Sequence, residues 1–408
     1  MKISVLKSRE PFDKIFIKTI KFFLEDFYKK SYEVELSSKF SKKKFDDNYQ
    51  NWYCNPLINS IFLKNANPDI FLSINGEYKY NPNRPIRTLF QKIYLKLSQT
   101  KYFNVFLSSY SFKISPVIKS GKNKLIIGGN KKIRVIDIEN KQVFVVLKEG
   151  FNKRYINREI FIRENFQFLT VPKLLINNNN NFWYAEEYVS GIPPNRLSKT
   201  RHKIILNKVI SEIILLRDKT KKTITVKKYL IDLNSKINCD LEKNIIFSKS
   251  KKNKLKSIIN SLNQTINKCE EQKIFTSICH GDFHLGNILT DNNKYWLIDW
   301  ENSCIRNFAY DLVIYLLKSR NDKKYALDIL RIIKGDFEEE ELDVINNWHE
   351  IFDEKFKIKK IYILIFLIED LHFYIEENNN KLFYKNNNIL NKRINEYDKI
   401  LAYISQYV

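Results

Sequence analysis

Apolar residues recur at three- and four-residue spacing over Phe12, Ile15, Phe16, Ile20, Phe23 and Phe27, with Lys14, Lys18, Lys21 and Glu25 between them. That period predicts an amphipathic helix. A second helix is expected from Ile86 to Leu97, after Pro56, Pro68, Pro82 and Pro85 have broken up the middle of the first region. From about Lys124 the pattern changes to strands. Leu125–Ile127 ends in Gly128-Gly129-Asn130, Ile133–Ile138 alternates, Glu139–Gln142 reads as a turn, and Val143–Lys148 is a third β-prone run. A charged helix over Lys153–Phe168 and two strands, Lys173–Ile176 and Phe182–Val189, follow. Ser190-Gly191-Ile192-Pro193-Pro194 closes this region. The remainder reads as helices at 201–218, 251–272, 309–320, 323–333, 340–350, 357–377 and 389–405. The stretch Ile358–Leu371, bounded by charge, is expected to be a buried core helix.

The order β-β-β-α-β-β followed by helices predicts an α+β chain of two lobes, a small antiparallel sheet lobe and a larger helical one. Residues 1–115 are expected to be a mainly helical extension, 116–190 the sheet lobe and 191–408 the helical lobe. With 408 residues, 44% of them hydrophobic, the chain can fill more than one core, which excludes wholesale disorder. Asn177–Asn181, Asn378–Asn380 and Asn386–Asn388 read as loops, because asparagine competes for its own backbone.

The net charge of +24 attracts anions: nucleotides, sugar phosphates, nucleic acid or an acidic membrane face. General abundance of Lys, Asn and Ile explains it equally well. Five cysteines, at 54, 239, 269, 279 and 304, form no C-x-x-C pair, which argues against a disulfide framework or a zinc ribbon. A reducing compartment, the cytoplasm, is the expectation. Charges at Lys7, Arg9, Glu10, Asp13 and Lys14 interrupt any signal-peptide core. The basic, aromatic stretches before residue 115 admit a membrane-surface reading, against which stands a helical stripe packed on a neighbouring domain.

The chemistry concentrates in Ile278-Cys279-His280-Gly281-Asp282-Phe283-His284-Leu285-Gly286-Asn287-Ile288-Leu289, followed by Ile298-Asp299-Trp300-Glu301. These motifs, H-G-D-x-x-x-x-N and I-D-W-E, resemble the aminoglycoside phosphotransferase and choline kinase superfamily, whose fold is like that of eukaryotic protein kinases. The resemblance implies an ATP- and Mg²⁺-dependent O-phosphotransferase with Asp282 as catalytic base, His280 orienting its loop, and Asn287 and Asp299 as Mg²⁺ ligands. Asp311 matches a buried structural aspartate. His284 and Glu301 line a pocket or cap local structure.

The fold also needs a lysine on its third strand, held by a helix glutamate. Lys148 and Glu159 fit, with Glu164 as rival to Glu159. Ala185–Gly191 looks like the hinge segment of the family, in which the Glu187 carbonyl and the Val189 amide bond the purine. Backbone contacts of that kind admit GTP as donor as well as ATP. No G-x-G-x-x-G occurs, so Gly128-Gly129-Asn130-Lys131 is the sole candidate to cover the phosphates, with charge added by Lys131 or Lys132, unless it is a plain hairpin turn. Twelve residues from Asp299 to Asp311, with no A-P-E after them, leave no room for a peptide-docking platform. The expected acceptor is therefore a small hydroxyl compound or a glycan.

Glu338–Glu341, Glu350, Glu369, Asp370, Glu376 and Glu377, interleaved with Trp348, Phe352, Phe373 and Tyr374, suit a cationic acceptor or are ordinary amphipathic faces. The rival reading of the whole chain is a degenerate kinase fold that binds nucleic acid or a protein. No nucleic-acid motif supports it, and no specific nucleic acid is expected as partner.

Overall fold

A computed structural model of the chain describes residues 2–39, 48–75, 85–100, 102–178, 180, 182–291, 294–317, 324–346, 348, 360–384 and 389–407. Pro82, Asn179, Asn181, Glu350, Phe352 and Asn386–Asn388 lie outside the described residues. In chain order the elements are α1 (Ile3–Arg9), α2 (Phe12–Tyr28), β1 (Glu33–Ser37), β2 (Gln50–Asn55), β3 (Ser60–Leu63), α3 (Leu72–Asn75), α4 (Pro85–Ser98), α5 (Phe103–Leu107) and β4 (Tyr110–Ser115). Then come β5 (Lys124–Gly128), β6 (Lys132–Asp137), β7 (Gln142–Leu147), α6 (Arg154–Asn165), β8 (Leu174–Asn177), β9 (Trp183–Glu187), α7 (Lys199–Thr220), β10 (Lys222–Thr225), α8 (Val226–Lys243) and α9 (Lys249–Ile266). The chain ends with β11 (Lys273–Cys279), β12 (Ile288–Asp291), β13 (Lys294–Leu297), β14 (Cys304–Asn307), α10 (Tyr310–Leu316), α11 (Tyr325–Lys334), α12 (Glu339–Ile345), α13 (Lys360–Glu377) and α14 (Ile389–Tyr407).

Two units divide these elements. Residues 1–202 and 288–301 form the first, and residues 203–287 and 302–408 the second. The first unit is built on one antiparallel sheet of nine strands, ordered β1-β4-β2-β3-β5-β6-β7-β9-β8. The first 115 residues, expected as a mainly helical extension, therefore include four strands that continue the sheet rather than standing apart from it. Strand alternation explains why this sheet is covered on both faces. Ile133, Val135, Phe144 and Val146 point to the side where Ile3, Phe16, Ile20 and Phe23 of α1 and α2 pack. Val143, Val145 and Leu147 point to the other side, against Ile156 and Ile160 of α6. The stripe predicted for Phe12–Phe27 is thus a core stripe.

The second unit is mainly helical. Its centre is α13, in which every residue from Ile361 to Leu371 is buried, as its apolar sequence predicts. It packs on α8, α9, α10 and β14. A three-stranded sheet, β10-β11-β14, belongs to this unit, and the hairpin β12-β13 to the first. All five cysteines are free, and no described helix is long and apolar enough to cross a membrane.

Candidate active site

In the first unit a buried lysine gathers three carboxylates, and it is Lys132. Its ammonium lies 2.6 Å from Glu159 Oε1, 2.9 Å from Asp299 Oδ1 and 2.9 Å from Glu301 Oε2. Around it Arg134 reaches Asp299 at 3.1 Å and Lys131 reaches Glu301 at 3.4 Å. Arg163 donates to both Glu159 and Glu186, and the Tyr184 hydroxyl donates to Glu159 at 3.2 Å. Four cations meet four carboxylates, so the buried cluster is formally balanced, as burial of charge demands. Burial disfavours the charge on Lys132, but Asp299, Glu159 and Glu301 outweigh it and hold the ammonium firmly protonated. Burial also pushes the Glu159 carboxyl up, and Lys132 with Arg163 pulls it well below the ordinary range. Asp299 stands at φ 69°, a left-handed conformation that costs a residue with a side chain about 1–3 kcal/mol. Its ion pairs with Lys132 and Arg134 help to hold it there.

The expected pair of Lys148 with Glu159 is not formed. The reason is strand parity: a side chain one residue along a strand points to the opposite face. Leu147 faces α6 and Glu159, so Lys148 turns to the other side, where its ammonium meets Glu10 at the end of α1 and the Asn130 carbonyl at 2.8 Å. Lys132 is the cross-strand partner of Leu147 and shares its face. Glu164, the rival to Glu159, accepts from Asn177 at 2.9 Å on the surface. Both faces of β7 are apolar, so the sequence carries no signal of which face bears α6.

Lys148 is nonetheless buried, and burial pushes its ammonium down to about 8 against the pull of Glu10. An unfolded lysine titrates near 10.5. Between those values the unfolded chain holds a proton that the folded one has released, so this group's contribution to stability rises with pH. Relative to Lys148→Met, the wild-type protein is expected to gain about 2–3 kcal/mol of unfolding free energy between about pH 7.5 and pH 10.5. Urea unfolding at the two pH values measures it. A pH-independent difference between the two proteins would show that the folded lysine keeps an ordinary affinity for its proton.

The candidate phosphate loop joins β5 to β6. Gly128 donates no side chain, and a Cβ there would come within 2.7 Å of Ile3. A Cβ on Gly129 would lie 2.5 Å from the Lys132 carbonyl oxygen, so this turn requires glycine. The loop is braced from the amino-terminal segment. Asn59 donates to the Gly128 carbonyl at 2.8 Å, and Arg9 donates to the Asn130 carbonyl at 3.2 Å and to its side chain. Arg9, Glu10 and Asn59 carry no motif, and sequence reasoning missed them. Glu187 is the last residue of β9, paired with Gln142, and its N–H bonds the Lys173 carbonyl at 2.9 Å. Val189 lies two residues beyond. Ile192 then bridges to Thr290 of β12 through backbone bonds of 3.0 and 2.9 Å.

In the second unit the His-Gly-Asp loop is tied from beneath by Asp311. Its carboxylate accepts from the His280 N–H at 2.7 Å and from the Gly281 N–H at 2.9 Å. Burial pushes the Asp311 carboxyl up, opposed by the His280 ring and these N–H groups. Gly281 has φ 81°, and a Cβ there would sit 2.2 Å from the Asn302 carbonyl oxygen, which excludes any other residue without rearrangement. His280 is fully buried, and its Nδ1 accepts from the Asp282 N–H at 3.3 Å. Asn287 donates from its amide nitrogen to the Asp282 carbonyl at 2.8 Å, and that nitrogen lies 3.4 Å from Asp282 Oδ2. His284 stands 3.6 Å from Asp282 Oδ2. The loop therefore fixes Asp282 with its carboxylate partly accessible and Asn287 with its amide oxygen turned away from the bonded nitrogen.

The acidic residues singled out for an acceptor are largely occupied. Glu369 accepts from Tyr229 and from the Asn307 N–H at 2.9 Å, Asp370 from the Tyr325 hydroxyl at 2.7 Å, and Glu341 from Arg331 at 2.6 Å. Arg393 lies over the Tyr325 and Tyr374 rings at 3.6 and 4.2 Å, so the aromatic box there already holds a cation from this chain.

Residues 246–342, which include the H-G-D-x-x-x-x-N and I-D-W-E motifs, match the model of the phosphotransferase enzyme family. The match bears out the resemblance read from those motifs. Among solved structures the chain is similar to a choline kinase from Streptococcus pneumoniae, at 14% identity and a TM-score of 0.43 over 71% of this chain and 92% of that one. It is also similar to an ethanolamine kinase from Plasmodium vivax, at 15% identity and a TM-score of 0.45 over 76% and 88%. A choline/ethanolamine kinase family protein from Mesorhizobium loti matches at 11% identity and a TM-score of 0.43 over 78% and 99%. No curated protein matches the chain.

Proposed function

We propose that this chain transfers the γ-phosphoryl group of ATP to a hydroxyl of a small molecule or glycan, with Mg²⁺. The observation that carries the reading is the buried Lys132–Glu159–Asp299 cluster, which joins the acidic residue of I-D-W-E to a helix-held lysine within one unit. In this reading Lys132, rather than Lys148, contacts the nucleotide phosphates. Asp299 and Asn287 are the residues that would hold Mg²⁺, since a carboxylate and an amide oxygen are ligands of the kind that ion takes. That ion, when bound, neutralises charge on the phosphates. Asp282 accepts the proton of the acceptor hydroxyl, the Asp311-tied backbone holds it in place, and the amides of Gly129 and Asn130 approach the phosphates. The purine is bonded by the Glu187 carbonyl and the Val189 amide, contacts that serve GTP as well as ATP.

The test is nucleotide binding followed by turnover. Titration with a non-hydrolysable ATP analogue is expected to give binding that Mg²⁺ strengthens at least about tenfold. A panel of aminoglycosides, choline, sugars and nucleosides is then expected to contain at least one acceptor that raises ADP release above the background with water. Failure of Mg²⁺-dependent nucleotide binding would leave a binding module of the same fold as the better account.

A further inference from the structure

Helix α4 carries an apolar stripe that nothing in the described residues covers. Ile86, Leu89, Phe90 and Ile93 are 72, 58, 68 and 47% exposed. At the pitch of an α-helix they fall within an arc of about 100°, centred opposite the buried Leu95. The adjoining α5 adds Phe103 and Phe106, 50 and 68% exposed. Large apolar side chains gathered so closely on a surface mark an interaction site.

The charge around the stripe selects its occupant. From Pro85 to Leu107, the span of α4 and α5, the chain has four Lys and Arg and no Asp or Glu. On α4 itself Lys92 and Lys96 are exposed, and they project immediately beside the stripe. A second copy of this chain meeting the patch through its own would set two lysine-bearing helices, with no acid in α4 or α5 to answer them, against each other, which is unfavourable. A nucleic acid would need the cations at the centre of the footprint rather than at the edge of an apolar band. Apolar residues in the middle with lysines at the flank are the arrangement of a helix that lies in an anionic bilayer surface, where the lysine stems reach past the apolar face to the headgroups.

We infer that α4, with α5 beside it, docks this protein peripherally on an anionic lipid surface. The α2 stripe, equally amphipathic in sequence, is excluded from this role because the sheet covers it. The docking surface does not depend on the transferase reading, since none of its residues belongs to the Lys132 or Asp282 clusters.

Co-sedimentation of the full chain with vesicles tests it. Vesicles of phosphatidylcholine containing about one third phosphatidylglycerol are expected to bind the protein, and pure phosphatidylcholine vesicles at least tenfold more weakly. The double variant Leu89→Ser/Phe90→Ser is expected to lose at least about tenfold of that binding with its far-UV circular dichroism and thermal midpoint unchanged, since both side chains are exposed. Ile86→Ser/Ile93→Ser is expected to behave alike. Lys249→Glu/Lys256→Glu, which removes exposed charge from α9, is expected to change binding less than about twofold. Equal losses in the α4 and α9 variants would reduce the interaction to net charge and overturn the inference. So would retention of binding by both α4 variants, absence of binding to anionic vesicles, or a lipid-independent dimer in sedimentation that the α4 variants dissolve.

Discussion

Asp282→Asn is expected to lower turnover about a thousandfold and to leave the affinity for Mg²⁺ and ATP within about twofold. The substitution keeps the shape of the side chain. The Asp282 carbonyl still accepts from Asn287, its N–H still donates to His280, and Asp311 still grips the loop. What disappears is the carboxylate proposed to receive the hydroxyl proton. Because Asp282 lies outside the Lys132 cluster, the nucleotide should not register the change. Pre-steady-state ADP formation with a competent acceptor, set beside titration of an ATP analogue, separates the two quantities. Turnover within about fivefold of wild type would remove Asp282 as the base. A parallel loss of nucleotide affinity would instead place the carboxylate among the Mg²⁺ ligands.

Much of the architecture around this loop is written in local signals. The period of Phe12–Phe27, the turn at Glu139–Gln142, and the apolar run of Ile358–Leu371 each fix an element because burial on one face or all round leaves a repeat in the chain. Helix α8 left such a repeat too, in Val226, Leu230, Leu233, Ile237 and Leu241 behind the N-cap of Thr225, and it could have been read. Strands β2 and β3 could not be read so simply. Trp52–Asn55 and Ser60–Leu63 are buried throughout, so they show no alternation, and they lie among lysines and asparagines that suggest loop.

The candidate site divides the same way. His280, Asp282, Asn287 and Asp299 sit in compact motifs whose spacing is itself the signal. The partner of Glu159 depends on which face of β7 receives α6, a tertiary fact set by packing far along the chain. Val143 to Leu147 is apolar at every position, so a lysine at its end could point either way. The brace from Arg9 and Glu10 rests on contacts across more than a hundred residues and leaves no local trace.

That ambiguity of face sets up the second large effect. Lys132→Ala is expected to reduce turnover at least about a hundredfold, whereas Lys148→Ala should leave turnover per folded molecule within about threefold. Lys132 is the ammonium that touches Glu159, Asp299 and Glu301 together, and it faces α6. Lys148 serves the opposite face, where it ties Glu10 and the Asn130 carbonyl to the end of β7. Removing Lys132 leaves three buried or half-buried carboxylates without their shared cation, which by itself threatens the fold by about 3–5 kcal/mol. Lys132→Arg and the charge-balanced double variant Lys132→Met/Glu159→Gln therefore belong in the same series. The arginine variant keeps the charge but replaces a compact point donor by a planar fork, and it should bind nucleotide while turning over poorly. The double variant should fold, with a thermal midpoint near that of wild type, and still fail to turn over. If instead Lys148→Ala abolished turnover in protein that remained folded, and the Lys132 variants worked normally, the phosphate-binding lysine would be Lys148, and the ion cluster around Lys132 would be a structural tie between the sheet, α6 and the Asp299 segment.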